Sequence, residues 1–205
     1  MFPSSRPTAS RIMRQLGFAA GVCVALLSLS AAPALAAATC EGQTLSQPFA
    51  AWNDYNYYTL VQGGEFNSAS EGWELKGGAQ VIKTTRPNGT TGGVLNLPSG
   101  STAVSPPVCV TLQYPTARVW VRNVKGAEGV AVGVAYAGTP TATSPKNVGQ
   151  VHGQQNSWTV SDPFNLQPQT AGPNEETRQV RLVFVAGGQT SDFQLYGLYI
   201  DPRMR

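Results

Sequence analysis

A single histidine, three glutamates near one corner and an Arg-Trp-Arg alternation are the side chains whose type and spacing suggest chemistry. His152 is the only histidine and lies beside Gly153 in a polar stretch, where it reads as an exposed loop residue. A Ser-His-Asp triad would have to use it, yet the chain has no Gly-x-Ser-x-Gly elbow to present a serine. Glycoside hydrolysis needs two carboxylates facing each other across a cleft. Glu65, Glu71 and Glu74 are the nearest to such a set, but Glu71 and Glu74 flank Gly72-Trp73 and read as solvated edge residues. The residues therefore point away from an enzyme.

The alternation in Ala117-Arg118-Val119-Trp120-Val121-Arg122 points to binding instead. Period two buries one face and presents the other, so Arg118, Trp120 and Arg122 share the presented face. An indole stacks on flat apolar surfaces, and a guanidinium fork donates to hydroxyls or carboxylates. Arg181 and Tyr196 occupy comparable faces of the C-terminal strands and complete the candidate ligand-binding set. The alternative places Trp120 in the core over Ala131, Gly133 and Ala135, whose small side chains leave room for an indole. The aromatics Trp52, Tyr55, Tyr57, Tyr58, Trp73 and Trp158 are expected mostly to fill the core or plug its ends.

Short strands must position these residues. Val130, Val132, Val134 and Tyr136 alternate, as do Val180, Leu182 and Phe184, and Phe193 to Ile200 forms the last strand. The stretch Leu60 to Leu75 reads as a strand end, a Gly63-Gly64 corner, and two aromatics, Phe66 and Trp73, delivered into a core. Gly138 to Gln155, rich in Thr, Pro, Ser, Gly and Gln, reads as a long connection. With about ten such strands and no amphipathic helix, the expected class is all-β, an antiparallel sandwich.

Residues 1–36 read as a signal peptide and 37–205 as a single domain. Arg6, Arg11 and Arg14 precede an apolar run, and Pro33-Ala34-Leu35-Ala36 offers a small-residue cleavage site. An uncleaved anchor or a lipid-modified Cys40 are the alternatives. The signal would carry three of the 14 Lys and Arg and none of the 11 Asp and Glu, leaving eleven of each. That balance supports no nucleic-acid partner. Cys23 lies in the signal, so Cys40 and Cys109 form an even pair in an exported chain and are expected to be bridged. Two free buried thiols are the alternative.

The run Leu60-Val61-Gln62-Gly63-Gly64-Glu65-Phe66 followed by Gly72-Trp73 resembles the opening of jelly-roll carbohydrate-binding modules, with a galactose-binding-like sandwich. Phe193 to Pro202 resembles the closing strand of that fold. A cysteine soon after the signal, Ser105-Pro106-Pro107-Val108-Cys109 and the Asp201-Pro202-Arg203-Met204-Arg205 ending are also similar to a group of exported, uncharacterised actinobacterial-type proteins. Such modules commonly hold a structural calcium, with an acid near the opening motif and an Asp pair in the last strand. Glu65 stands in the first place, but Tyr196-Gly197 stands in the second, which leaves too few oxygens. No metal and no cofactor are expected. The resemblance and the Arg-Trp-Arg face together imply a secreted, non-catalytic, jelly-roll module for a polysaccharide or cell-wall component. It is expected to be monomeric, with no membrane partner once the signal is removed. The alternative is a structural or protein-interaction domain of the envelope with no sugar ligand.

Overall fold

The computed structural model describes residues 43–68, 71–111, 116–126, 128–136, 145–166 and 177–201. The chain divides into two units, Met1–Ala36 and Ala37–Arg205, and the described residues all belong to the second. Residues 1–36, expected to be a signal peptide, and Cys40 lie outside them.

The described residues form fifteen strands and one 3-10 turn, Ala50–Trp52. In chain order the strands are β1 (Leu45–Ser46), β2 (Tyr58–Leu60), β3 (Glu74–Lys76), β4 (Gln80–Thr85) and β5 (Thr91–Pro98). There follow β6 (Thr102–Val104), β7 (Val108–Thr111), β8 (Thr116–Lys125), β9 (Val130–Tyr136) and β10 (Lys146–Val151). The last five are β11 (Gln154–Gln155), β12 (Thr159–Val160), β13 (Phe164–Asn165), β14 (Thr177–Ala186) and β15 (Asp192–Asp201). They make two sheets. In the first, β15 runs between β8 on one side and β5 and β2 on the other; β4 flanks β5, and β11, β12 and β13 flank β8. In the second, β14 lies between β9 and the pair β6 and β7, with β10 and β3 outside. This is the expected all-β sandwich.

Alternation decides what each strand buries. Ala117, Val119 and Val121 of β8 point inward, as do Val130, Val132 and Val134 of β9 and Val180, Leu182 and Phe184 of β14. Side chains from the two inner faces interdigitate to make one core, the usual solution for stacked sheets. The glycine corner delivers Phe66 and Trp73 as expected: their rings lie 5.0 Å apart, and Trp73 stacks at 6.2 Å on Phe184 of β14. Gly63 has φ +66, and a Cβ there would meet the Glu71 Cβ at 2.5 Å, so both backbone and space demand glycine.

One expectation needs correction here. The stretch read as a long connection contains β10 and β11, because Lys146–Val151 pairs along β9 despite its weakly apolar sequence. Thr102–Val104, for which the sequence carried no strand expectation, is β6, held between β14 and β3.

Candidate functional site

The outer face of the first sheet carries the candidate residues. Parity along β8 sends Arg118, Trp120 and Arg122 outward, and Tyr196 on β15 pairs directly with Trp120, with their rings 6.1 Å apart. A register shift between Tyr196 and Tyr199 accompanies Gly197 at φ +62. The extra residue lets Leu195 and Leu198 both enter the core while Tyr196 and Tyr199 both face outward.

That outer face is covered by the chain's own residues 47–58. Phe49 packs onto it and, with Tyr58 at the start of β2, joins Trp120, Tyr196 and Val94 in a second apolar cluster. Phe49 sits 4.6 Å from Trp120, 5.1 Å from Tyr58 and 5.6 Å from Tyr199, centroid to centroid. Trp120 is only 7% exposed. Its neighbours are this strap and Tyr196 and Tyr199, and not Ala131, Gly133 and Ala135, which belong to the second sheet. Its Nε1 has no hydrogen-bond partner among the described residues.

The two flanking arginines are tied into the fold. Arg118 Nη1 donates to Asp54 Oδ2 at 2.7 Å, its Nε donates to the Ser161 carbonyl at 2.8 Å, and its guanidinium lies 5.2 Å from the Phe49 ring centroid. Asp54 also accepts from the Tyr58 hydroxyl at 2.6 Å and from the Asn56 amide at 3.1 Å. Burial works to raise the Asp54 carboxyl, but the Tyr58, Arg118 and Asn56 hydrogen bonds and the Arg118 charge outweigh it and hold it below its usual value. Burial, then the Asp54 hydrogen bond and charge, push the Tyr58 phenol up to about 12.

Arg122 donates through Nε to Gln194 Oε1 at 2.9 Å and through Nη2 to Thr84 Oγ1 at 3.3 Å, and it lies 4.9 Å over Trp158. Burial pulls its guanidinium pKa down. Trp158 Nε1 in turn donates to the Thr85 carbonyl at 2.9 Å. Two strands, β5 and β15, separate β8 from β4. In a flat sheet that is a gap of about 14 Å. Arg122 and Trp158 nonetheless reach β4, at Thr84 and Thr85.

Arg181 is not part of this cluster. It lies on β14 in the second sheet, where Nη1 donates to Glu74 Oε1 at 2.6 Å and Nε to the Ser105 carbonyl at 2.8 Å. The five candidates are therefore four on one sheet and one on the other. Glu71 accepts from the Ser68 amide and hydroxyl at 2.8 and 2.6 Å, and Glu65 accepts from Asn67 at 3.2 Å. Among the described residues no three His, Cys, Asp or Glu side chains gather closely enough to hold a metal ion.

What the sequence missed is the display on top of the strap. Trp52, Tyr55 and Tyr57, from a group expected mostly to fill the core or plug its ends, are 50%, 64% and 51% exposed. Phe49 and Tyr58 occupy the inward positions, so the aromatics between them are turned to solvent. Trp52 leans edge-on against Trp120 at 5.8 Å, which fixes its place above the sheet. The only hint in the sequence is density: Trp52, Tyr55, Tyr57 and Tyr58 fall within seven residues, too many for one short strand to bury.

No protein-family model and no curated protein matches the chain. Solved structures do resemble it. An arabinose-bound α-L-arabinofuranosidase aligns with a TM-score of 0.50 at 16% identity over 72% of this chain, which spans only 27% of that enzyme's length. A family 61 carbohydrate-binding module in complex with β-1,4-galactotriose aligns at 0.45 and 14% identity, over 70% of this chain and 98% of the module. The C-terminal family 22 carbohydrate-binding module of Clostridium thermocellum Xyn10B aligns at 0.44 and 16% identity, over 68% and 91%. At these identities the likeness is one of fold, and that fold is the β-sandwich.

Proposed function

We propose that the domain is a secreted, non-catalytic binding module for a glycan or another cell-envelope component, and that the strap residues Trp52, Tyr55 and Tyr57 make the contact. One observation carries this reading: three large aromatics within six residues are at least half exposed. Leaving that much apolar surface in water is unfavourable unless something covers it. Flat rings with polar edges suit the apolar faces of pyranose rings and the hydroxyls around them. The sheet face first favoured on sequence serves as the foundation: Trp120 and Arg118 hold the strap down and do not meet a ligand themselves.

The non-catalytic half of the reading is supported by how the carboxylates are engaged. Asp54 is held by Arg118 and Tyr58, Glu71 by Ser68 and Glu74 by Arg181. A bridge between Cys40 and Cys109 belongs to the same proposal. Gln43, three residues past Cys40, donates through Nε2 to the Cys109 carbonyl at 3.2 Å, which brings the N-terminal chain beside β7. Such a loop closure contributes about 4 kcal/mol in the chain-entropy account. Thiol titration before and after reduction tests it, and export is tested by fractionating the producing cells.

A polysaccharide pull-down or glycan array with wild type and Trp52→Ala tests the site. Loss of retention in the variant supports it, and equal retention by both counts against it. A second reading, a protein-interaction domain of the envelope, is favoured by the burial of Trp120, since the same exposed rings suit a protein partner. It takes over if no glycan is retained at all.

A further inference from the structure

We infer that a groove at the β4–β5 end of the first sheet takes the anionic group, carboxylate or phosphate, of an acidic saccharide; this rests on the reading of the domain as a glycan-binding module. The groove has a volume of about 480 Å³ and is lined by Lys83, Arg86, Asn67, Ser68 and Thr91 against Phe66 and the Gly92-Gly93 backbone. That volume falls within the range of small-ligand sites.

Arg86 is the reason to expect charge. Arg118 and Arg181 are neutralised by Asp54 and Glu74 at 2.7 and 2.6 Å. Among the described residues, Arg86 is held only by neutral acceptors. Its Nε donates to the Gly93 carbonyl at 3.2 Å, and its Nη2 donates to the Glu65 carbonyl at 3.2 Å and to Asn67 Oδ1 at 2.8 Å. Its guanidinium also lies 5.1 Å from the Tyr196 ring centroid. A Cβ on Gly92 would meet the Arg86 Cζ at 2.3 Å, so glycine lets the guanidinium lie flat on the strand.

Three of its five N–H groups are thus used to fix its position, and the Nη1 pair has no partner among the described residues. Neither Arg86 nor the exposed Lys83 has a described carboxylate within ion-pair distance. Glu65 turns its carboxylate to Asn67 Nδ2 at 3.2 Å. Glu65 and Glu71 are hydrogen-bonded to the lining residues Asn67 and Ser68, so the groove's pull on an anion comes from the Arg86 Nη1 pair and Lys83 and not from a net charge. A guanidinium fixed in advance loses little entropy when it receives an oxyanion, and its spare donors match two acceptor oxygens.

Titration calorimetry of the full domain with three probes tests this. They are an oligogalacturonate, its methyl-esterified neutral counterpart, and a phosphate-bearing oligomannoside. The expected result is binding of at least one anionic probe, weakened by added salt, with the neutral probe bound more weakly. Whichever anionic probe binds identifies the group as carboxylate or phosphate. Lys83→Gln should weaken that probe about threefold, the scale of an exposed charge pair. Arg86→Gln should weaken it about tenfold or more, the scale of a charged hydrogen bond. Because Arg86 also braces the Glu65–Asn67 corner, Lys83→Gln is the variant that stands if Arg86→Gln fails to fold. Equal affinity for acid and ester, or no effect of Lys83→Gln, overturns the groove assignment while leaving glycan binding intact. No binding of either anion overturns it too, and only failure of the whole glycan panel removes the reading beneath it.

Discussion

Asp54 and Arg118 meet at 2.7 Å across 64 residues of sequence, with side chains only 10% and 13% exposed, and this pair holds the strap to the sheet. Removing one partner leaves a partly buried charge without compensation. Asp54→Ala should therefore cost about 3 kcal/mol, read as a shift in the urea midpoint.

The same carboxyl makes stability depend on pH. Its folded pKa lies below its unfolded value, so the fold binds fewer protons there than the unfolded chain does. The stabilisation is complete above the unfolded value of about 3.9 and is lost as pH falls through the folded one. Thermal melts of wild type should weaken below about pH 4 by more than those of Asp54→Asn. Matching acid profiles would contradict this.

At the alkaline end the sign reverses. Burial first, then the Asp54 hydrogen bond, push Tyr58 up to about 12, and burial first, then the Glu65 charge, push Tyr199 up to about 12. Each favours its neutral phenol, so the stability it contributes is intact below about 10 and lost as pH rises through 12. Absorbance titration should show these two phenols ionising only as the domain begins to unfold.

Beneath the strap, Trp120 is predicted to act through its ring and not its nitrogen. Its Nε1 has no partner among the described residues, so Trp120→Phe sacrifices no described hydrogen bond. Trp120→Ala should cost about 3–5 kcal/mol, the usual penalty for emptying a buried aromatic site, and Trp120→Phe clearly less. Denaturant curves of the two variants separate these outcomes.

Gly197 should resist any side chain. Its φ is +62, and a Cβ would lie 2.7 Å from the Trp120 ring. Gly197→Ala adds left-handed strain of about 1–2 kcal/mol to an overpacking cost of similar size. A lowered melting temperature measures it; an unchanged one would mean that the bulge is not needed to seat Trp120.

The sandwich was legible because alternation is a local signal. Val119, Val121, Val130, Val132, Leu182 and Phe184 each reveal their inward face from two or three neighbours. The Arg118-Trp120-Arg122 face was legible for the same reason. Its fate was not, because the strap that covers it begins about 70 residues earlier in the chain and is pinned by the distant Asp54–Arg118 pair. Nor did the sequence reveal that Trp52, Tyr55 and Tyr57 face outward. Their stretch has no regular period, and the inward positions go to Phe49 and Tyr58 through contacts made only in the folded state. Arg181 looked equivalent to the β8 arginines because parity does not say which sheet a strand joins.

The strap's aromatics are the crux, and affinity electrophoresis of wild type and Trp52→Ala in polysaccharide gels addresses them directly. Trp52 is half exposed, so the variant should fold with nearly unchanged stability and migrate without retardation where wild type is held back. A folded Trp52→Ala protein retarded as strongly as wild type would contradict the account.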